Sequence, residues 1–216
     1  MAFSVYTIYR QVFKVWRKKR LALFQRYISP EPGDILLDVG GYPVFWTAHA
    51  PMVGRIDTLN LHATSFDPAN FPGHHIRPLE GDGRALEFPD KSYDIAFSNS
   101  VIEHVGSWED QKRFAAELCR VGKRVWCQTP ALECPIEPHF LAPFVHWLPR
   151  RWRPFLVKYF TPRGWAAKAG KEEIQEMVDW TRLISRREMT ELFPDCRIVV
   201  EYLVPFVPKS YIAVRM

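Results

Sequence analysis

The sequence lacks any long hydrophobic run. Basic residues interrupt every early apolar stretch, and nowhere do the roughly 18 uninterrupted apolar residues of a membrane-spanning helix occur. The pattern therefore predicts neither a membrane span nor a signal peptide. Of the 216 residues, 47% are apolar and 25% charged. This composition is typical of one globular domain, here residues 1–216, and excludes disordered and fibrous proteins.

Cysteine is scarce, and its spacing indicates no pairing. The four cysteines are Cys119, Cys127, Cys134 and Cys196. They form no CxxC motif and lie mostly in apolar runs, which favours buried, reduced thiols and a cytoplasmic protein.

Closely spaced metal ligands are also lacking. Glu137, His139 and the neighbouring pair Glu103 and His104 carry suitable oxygen and nitrogen atoms, but no spacing such as HExxH joins them. We therefore predict no metal site.

Positive charge is concentrated at the start of the chain. Lysine and arginine outnumber aspartate and glutamate by 29 to 24, and many of them fall within residues 1–28. The apolar residues there follow the spacing of an amphipathic helix, so the basic face is expected to be solvated. The alternative is contact with phosphate groups or a peripheral contact with a membrane surface.

Seven apolar, strand-like runs alternate with helical segments along the rest of the chain. They cover residues 35–39, 56–61, 75–79, 93–98, 121–128, 197–204 and 210–214. This alternation predicts an α/β fold with a Rossmann-like, mostly parallel seven-stranded sheet and helices on both faces. The last two runs are close enough for a hairpin, which predicts an antiparallel edge strand.

Two helices are marked by local signals. Ser107 and Asp110 have capping-box spacing ahead of the apolar stripe Phe114, Leu118 and Val121, and residues 185–192 form a second helix. Between the fifth strand and this second helix, residues 131–180 are rich in Pro, Trp, Phe and His and have no clear period. Ligands of open α/β sheets bind beyond the carboxyl ends of the strands, so this insertion is the predicted acceptor-binding lid.

A glycine pair follows the first strand. In the run Asp38-Val39-Gly40-Gly41, the glycines allow close backbone approach to a ligand. The run resembles motif I of class I methyltransferases, although Tyr42 and Val44 stand where that motif has further glycines. A tight turn without a ligand is the alternative.

The second strand ends at Asn60 and Leu61. Methyltransferases of this class usually have an acidic residue here that holds the ribose hydroxyls, and the Asn60 amide can act as a neutral substitute. A turn-forming asparagine is an equal alternative.

The most specific signal is the contiguous run of residues 80–105. It contains Gly81-Asp82-Gly83-Arg84, a Phe-Pro-Asp turn, a strand and then Val101-Ile102-Glu103-His104. In this order the elements resemble the type 11 methyltransferase family, which implies S-adenosyl-L-methionine as cofactor. The resemblance implies that Asp82 contacts the adenine, with Gly83 and Arg84 beside it, and that Ser98, Asn99 and Ser100 pass the methionine portion. His104 either faces the cofactor or supports a helix start.

The insertion carries the candidate acceptor chemistry. Gln128-Thr129-Pro130, Glu137-Pro138-His139-Phe140 and the later Trp147-Leu148-Pro149 resemble a bacterial subgroup associated with glycan pathways. A sugar hydroxyl needs a general base, for which His139 is the first candidate and His146 the second, with Glu137 orienting the imidazole. Both histidines could instead bond to backbone within a lid.

Several functions therefore stay open. The leading hypothesis is O-methylation of a sugar or polysaccharide precursor. The rivals are methylation of a quinone or other small hydrophobic acceptor, and a non-catalytic partner subunit with a cofactor fold. Nucleic acid is the less favoured substrate, and the sequence does not predict the oligomeric state.

Overall fold

The computed structural model describes residues 5–46, 49–62, 65–66, 70–137, 142–161 and 171–216. Its centre is a seven-stranded sheet with the order β3-β2-β1-β4-β5-β9-β8. The strands are β1 (Ile35–Val39), β2 (Arg55–Asn60), β3 (Ile76–Glu80), β4 (Tyr93–Asn99), β5 (Gly122–Pro130), β8 (Arg197–Val204) and β9 (Val207–Arg215). Each corresponds to one of the seven predicted runs.

The mostly parallel α/β sheet is confirmed. Strands β1 to β5 run parallel, and β9 pairs antiparallel with both β5 and β8. The antiparallel strand is β9, which lies second from one edge of the sheet. It is placed next to β5 by the β8–β9 hairpin, so β8 is the edge strand.

Helices cover both faces of the sheet. On one face, α3 (Trp108–Val121) and α6 (Arg186–Leu192) pack on alternate strand residues such as Leu37. On the other face, α1 (Val5–Ile28) buries its second half, including Phe24, against Leu36 and Trp46 of the short helix α2 (Pro43–Trp46). The second half of α1 is thus a core helix.

Local signals set the helix ends. The Ser107 hydroxyl accepts from the backbone N–H of Asp110, whose carboxylate accepts from the N–H of Ser107, which forms the predicted capping box of α3. Ser185 and Glu188 form the same reciprocal pair at α6. Each pair satisfies N–H groups that the first helical turn leaves without partners.

The insertion forms a small unit of its own. After a two-stranded ribbon, β6 (Ile136–Glu137) and β7 (Ala142–Pro143), come two 3₁₀ turns and the helices α4 (Arg153–Phe160) and α5 (Lys171–Asp179). Its core consists of Ala142, Val145, Val157, Ile174 and Val178. Because α4 buries only Val157 fully, its sequence has little helical periodicity.

Helices long and apolar enough to cross a membrane are absent from the described ranges. All four cysteines are free; Cys127 and Cys134 are buried, and Cys119 and Cys196 are half-buried.

Candidate functional site

A cavity of about 680 Å³ lies beyond the carboxyl ends of β1, β2 and β3. It brings together eight of the residues predicted to bind the cofactor. These are Gly40, Asn60, Leu61, Asp82, Gly83, Arg84, Ser100 and His104. Residues from three strand ends and from the loop after β4 therefore share one space, as expected for a ligand site of an open α/β sheet.

Two glycines hold the walls of this cavity close to the backbone. Gly40 has a φ of +80°, and a Cβ there would lie 2.5 Å from Cγ2 of Val101. A Cβ on Gly83 would lie 2.6 Å from Cε2 of Phe114 and 2.7 Å from Cγ1 of Val39. All three contacted side chains line the cavity, so larger residues at either glycine would displace its wall.

An ion pair between Asp82 and Arg84 lies just after the end of β3. Nη2 and Nε of Arg84 donate to the Asp82 carboxylate over 2.7 and 3.0 Å, and the backbone N–H of Arg84 adds a 2.9 Å bond. These bonds to Arg84 hold the pKa of Asp82 below its usual range. Arg84 also donates to the backbone oxygen of Val105 and to Asp110, which ties the pair to the start of α3.

Asn60 and Ser100 connect neighbouring loops. Nδ2 of Asn60 donates to the backbone oxygen of Gly41 over 2.9 Å, which joins the ends of β1 and β2. Ser100 has a φ of +57°, and its hydroxyl donates to Oε1 of Gln128 over 3.0 Å. The loop after β4 is thereby fixed to β5.

The other four predicted cofactor residues lie outside the cavity lining. Ser98 is buried and donates to the backbone oxygen of Val39, while Asn99 accepts from Arg20. Asp38 is buried beneath Gly41, at which a Cβ would overlap the Asp38 carboxylate. These residues lie beneath the loops after β1 and β4, on the side away from the cavity.

The Asp38 carboxylate has an unusual environment. Oδ2 accepts from Nε1 of Trp46 over 2.7 Å, and Oδ1 is buried with no hydrogen-bond partner among the residues that the structure describes. Burial raises the pKa of Asp38 to about 7, although the bond from Trp46 acts in the opposite direction.

The sequence did not indicate several cavity residues. Val101 and Val105 lie within the run of residues 80–105, but the sequence did not single them out. The structure shows that both side chains line the cavity. Asp179 and Trp180 come from the insertion and also line the cavity. No local pattern connects Trp180 with strand ends more than a hundred residues away.

A second cavity, of about 280 Å³, lies within the insertion. Its lining consists of Leu132, Glu137, His146, Arg150, Arg153, Val178, Thr181, Arg182, Leu183 and Glu188. Asp179 and Trp180 line the first cavity and Thr181 and Arg182 the second, so residues 179–182 border both. We refer to these four residues as the dividing segment.

Two of the three predicted catalytic residues line the second cavity. Glu137 is buried, and Nε2 of the buried His146 lies 3.0 Å from the backbone oxygen of Leu132. Nδ1 of His146 is buried and has no hydrogen-bond partner within the described part of the chain. Burial lowers the pKa of His146, although the bond to Leu132 acts in the opposite direction. His139 lies outside the described residues.

No cluster of three or more His, Cys, Asp or Glu side chains in the described ranges is arranged to hold a metal ion.

Residues 37–124 match the model of a family described as a methyltransferase domain, which is the type 11 family that the sequence resembles. The match runs from β1 to the start of β5 and ends before the insertion.

Two curated mycobacterial proteins are similar over part of this chain. An uncharacterized methyltransferase of Mycobacterium marinum is 38% identical over 96 residues, which are 41% of this chain and 35% of the relative. One of Mycobacterium tuberculosis is 38% identical over 102 residues, 44% of this chain and 37% of the relative. The matched region thus spans little more than a third of these relatives.

Among solved structures, a SAM-dependent methyltransferase of Methanosarcina mazei superposes with a TM-score of 0.50 at 15% identity. The superposition covers 89% of this chain and 95% of that protein. At this identity the likeness concerns the fold.

Proposed function

We propose that this chain is a class I S-adenosylmethionine-dependent methyltransferase that methylates a hydroxyl group of a sugar or polysaccharide precursor; the family match over residues 37–124 and the fold support the first part. The observation that carries the proposal is the pair of cavities on either side of the dividing segment. Methyl transfer requires the acceptor atom, the methyl carbon and the sulfur in line, so an acceptor must approach from a space bordering the cofactor's. The second cavity borders the dividing segment, as the first cavity does, and we assign it to the acceptor.

The first cavity suits the cofactor. S-adenosylmethionine supplies a methyl group made electrophilic by its sulfonium sulfur. Gly40 and Gly83 allow close backbone approach, and Asp82 and Asn60 offer acceptor oxygens for the amino and hydroxyl groups of an adenosine. The cavity also has the size of small-molecule sites, roughly 300–1,000 Å³.

A hydroxyl acceptor calls for a base, because its pKa is too high for attack unaided. A positioned base contributes about 10²–10⁴ in rate. The Leu132 carbonyl can only accept, so Nε2 of His146 carries the hydrogen and Nδ1 keeps its lone pair. The lowered pKa keeps this imidazole neutral near pH 7 and able to take a proton.

His139 remains the first candidate for the base on sequence grounds. It follows Glu137 by two residues, and the buried Glu137 lines the second cavity. We propose that Glu137 orients whichever histidine accepts the proton.

The aromatic content of the insertion supports a saccharide acceptor. Trp147 and Trp152 are about half exposed, and indole faces stack on the apolar faces of sugar rings. The glycan-associated succession after β5 resembles mannoside O-methyltransferases of methylmannose polysaccharide synthesis, so mannosides are the first acceptors to test. A quinone would use the same aromatics without a base.

The test combines an acceptor screen with histidine variants. The screen uses partially methylated mannosides, quinones and RNA with S-adenosylmethionine. We expect turnover on mannosides, and we expect His139→Ala or His146→Ala to lower kcat about 10²–10⁴-fold while cofactor affinity by calorimetry stays within about twofold.

The exposed His75 provides the matched control, and His75→Ala should leave kcat unchanged. Full turnover in both test variants would remove the histidine base. Turnover on quinones alone would overturn the saccharide assignment. A chain that binds no cofactor at high micromolar concentration would be a partner subunit instead of an enzyme.

A further inference from the structure

One outer surface of the insertion exposes an unusual number of large apolar side chains. Seven of them, within residues 144–160, are between 40% and 64% exposed. They are Phe144, Trp147, Leu148, Trp152, Phe155, Tyr159 and Phe160. We call this set the aromatic surface. Contiguous exposed apolar groups on a soluble domain usually mark an interaction site.

Helix α4 organises the centre of this surface. Phe155 and Tyr159 are one helical turn apart, and Trp152 precedes Phe155 by three positions, so the three follow one helical stripe. The ring of Phe155 lies 5.0 Å from that of Tyr159 and 6.0 Å from that of Phe160, measured between centroids. Val157 points into the insertion's core, and the three rings stay between 49% and 64% exposed.

The same segment is strongly basic. Residues 142–161 contain Arg150, Arg151, Arg153 and Lys158 and no acidic residue. Arg150 and Arg151 are exposed, and Lys158 lies 5.6 Å from the ring centre of Tyr159. Elsewhere in the insertion the described ranges contain six acidic residues, Glu133, Glu137, Glu172, Glu173, Glu176 and Asp179, of which Glu137 is buried.

We propose that the aromatic surface and its basic residues dock this protein on an anionic lipid bilayer. Aromatic side chains favour the boundary between headgroups and acyl chains, and arginine and lysine are attracted to the negative potential of anionic lipids. Because Arg150 and Arg153 also line the second cavity, docking would bring that cavity to the lipid surface. The inference does not depend on which acceptor is methylated.

The form of the surface favours lipid over single-stranded nucleic acid. Base stacking requires ring faces separated along a cationic groove. Here Phe155 contacts both Tyr159 and Phe160, each at an interplanar angle of 52°, so the three rings form a continuous apolar patch. The exposed Leu148 adds aliphatic area, which suits acyl chains and not bases.

The experiment is sedimentation of the full chain with vesicles of two compositions. One contains phosphatidylcholine alone, and the other contains phosphatidylcholine with phosphatidylglycerol. We expect binding to the anionic vesicles and at least about tenfold weaker binding to the neutral ones. Phe155→Ser/Phe160→Ser and Arg151→Glu should each lower the anionic-vesicle partition by about tenfold or more.

A matched control comes from the β8–β9 hairpin, where Tyr202 and Phe206 are 58% and 94% exposed. Tyr202→Ser/Phe206→Ser should bind vesicles like the unaltered chain. Cofactor affinity, measured for every variant, reports whether the domain remains folded. Equal partition of test and control variants, or no binding to anionic vesicles, would overturn the proposal, as would binding of an RNA oligonucleotide without binding of vesicles.

Discussion

Arg20, in the second half of α1, lies 2.8 Å from the carboxylate of Glu201 on β8, measured from Nη2 to Oε2. Nη1 of the same guanidinium donates to Asn99 and Gln128 at the ends of β4 and β5 over 3.0 and 2.8 Å. Gln128 in turn accepts from Ser100, which lines the larger cavity. One arginine therefore joins the N-terminal helix, the last hairpin and the loop beside the larger cavity.

Removing this guanidinium should destabilise the fold. Glu201 is almost fully buried, and its pKa is lowered because Arg20 and Lys209 outweigh the effect of burial. In Arg20→Ala, Lys209, at 3.4 Å, remains as the cationic partner of this carboxylate, so we expect a loss of about 2 kcal/mol in the free energy of unfolding, below the usual cost of breaking a buried pair. Urea denaturation measures the loss. Arg26→Ala, at an exposed position of the same helix, should cost less than about 0.5 kcal/mol, and equal losses would contradict the prediction.

Substitution of Gly83 should damage the larger cavity, where we propose that the cofactor binds. In Gly83→Ala the new methyl group would press on Phe114 and Val39, so we expect a loss of about 1–3 kcal/mol in stability and a clear loss of S-adenosylmethionine affinity. Calorimetric titration measures the affinity. Gly33→Ala is the control, since a Cβ there meets nothing within 4 Å. Unchanged affinity in Gly83→Ala would show that the cofactor does not use this wall.

Asp38 predicts a pH dependence with a definite sign. Its pKa is about 7 in the folded protein and about 3.9 in an unfolded chain, so the folded state binds the proton more tightly. The stability this group contributes is complete below pH 4 and is lost as the pH rises to about 7. Asp38→Asn does not titrate. Relative to the unaltered chain, the variant should therefore gain about 2–3 kcal/mol in stability between pH 5 and pH 8.

Urea denaturation at the two pH values measures this gain. Asp90→Asn, at an exposed carboxylate, supplies the comparison and should show no such trend. A difference between Asp38→Asn and the unaltered chain that does not vary with pH would mean that Asp38 is ionised in the folded protein.

Features encoded by neighbouring residues were predictable. The seven strands follow from apolar runs, and the capping boxes at Ser107 and Ser185 depend on residues three positions apart. The run from Gly81 to His104 contains five of the eight predicted residues that line the larger cavity, because its strand and loops are local.

Features that depend on tertiary contacts were not predictable. The carboxylate of Asp38, which was predicted to lie at the cofactor, accepts from the indole of Trp46 beneath Gly41. The bond between Arg20 and Glu201 joins opposite ends of the chain, and neither residue has a local signal. Helix α4 of the insertion was missed because it fully buries only Val157, which leaves little periodicity. Helix α5 was missed although Ile174 and Val178 lie one turn apart, because its 9 residues are few for a periodic signal.

The dividing segment has a thermodynamic consequence. Its backbone is fixed on one side by the bond from the N–H of Arg182 to the carbonyl of Glu103, next to His104 of the larger cavity. When a ligand bound in one cavity orders residues 179–182, a ligand of the other cavity does not have to order them again. Any resulting preference must be equal in both directions: the factor by which cofactor changes acceptor affinity is the factor by which acceptor changes cofactor affinity.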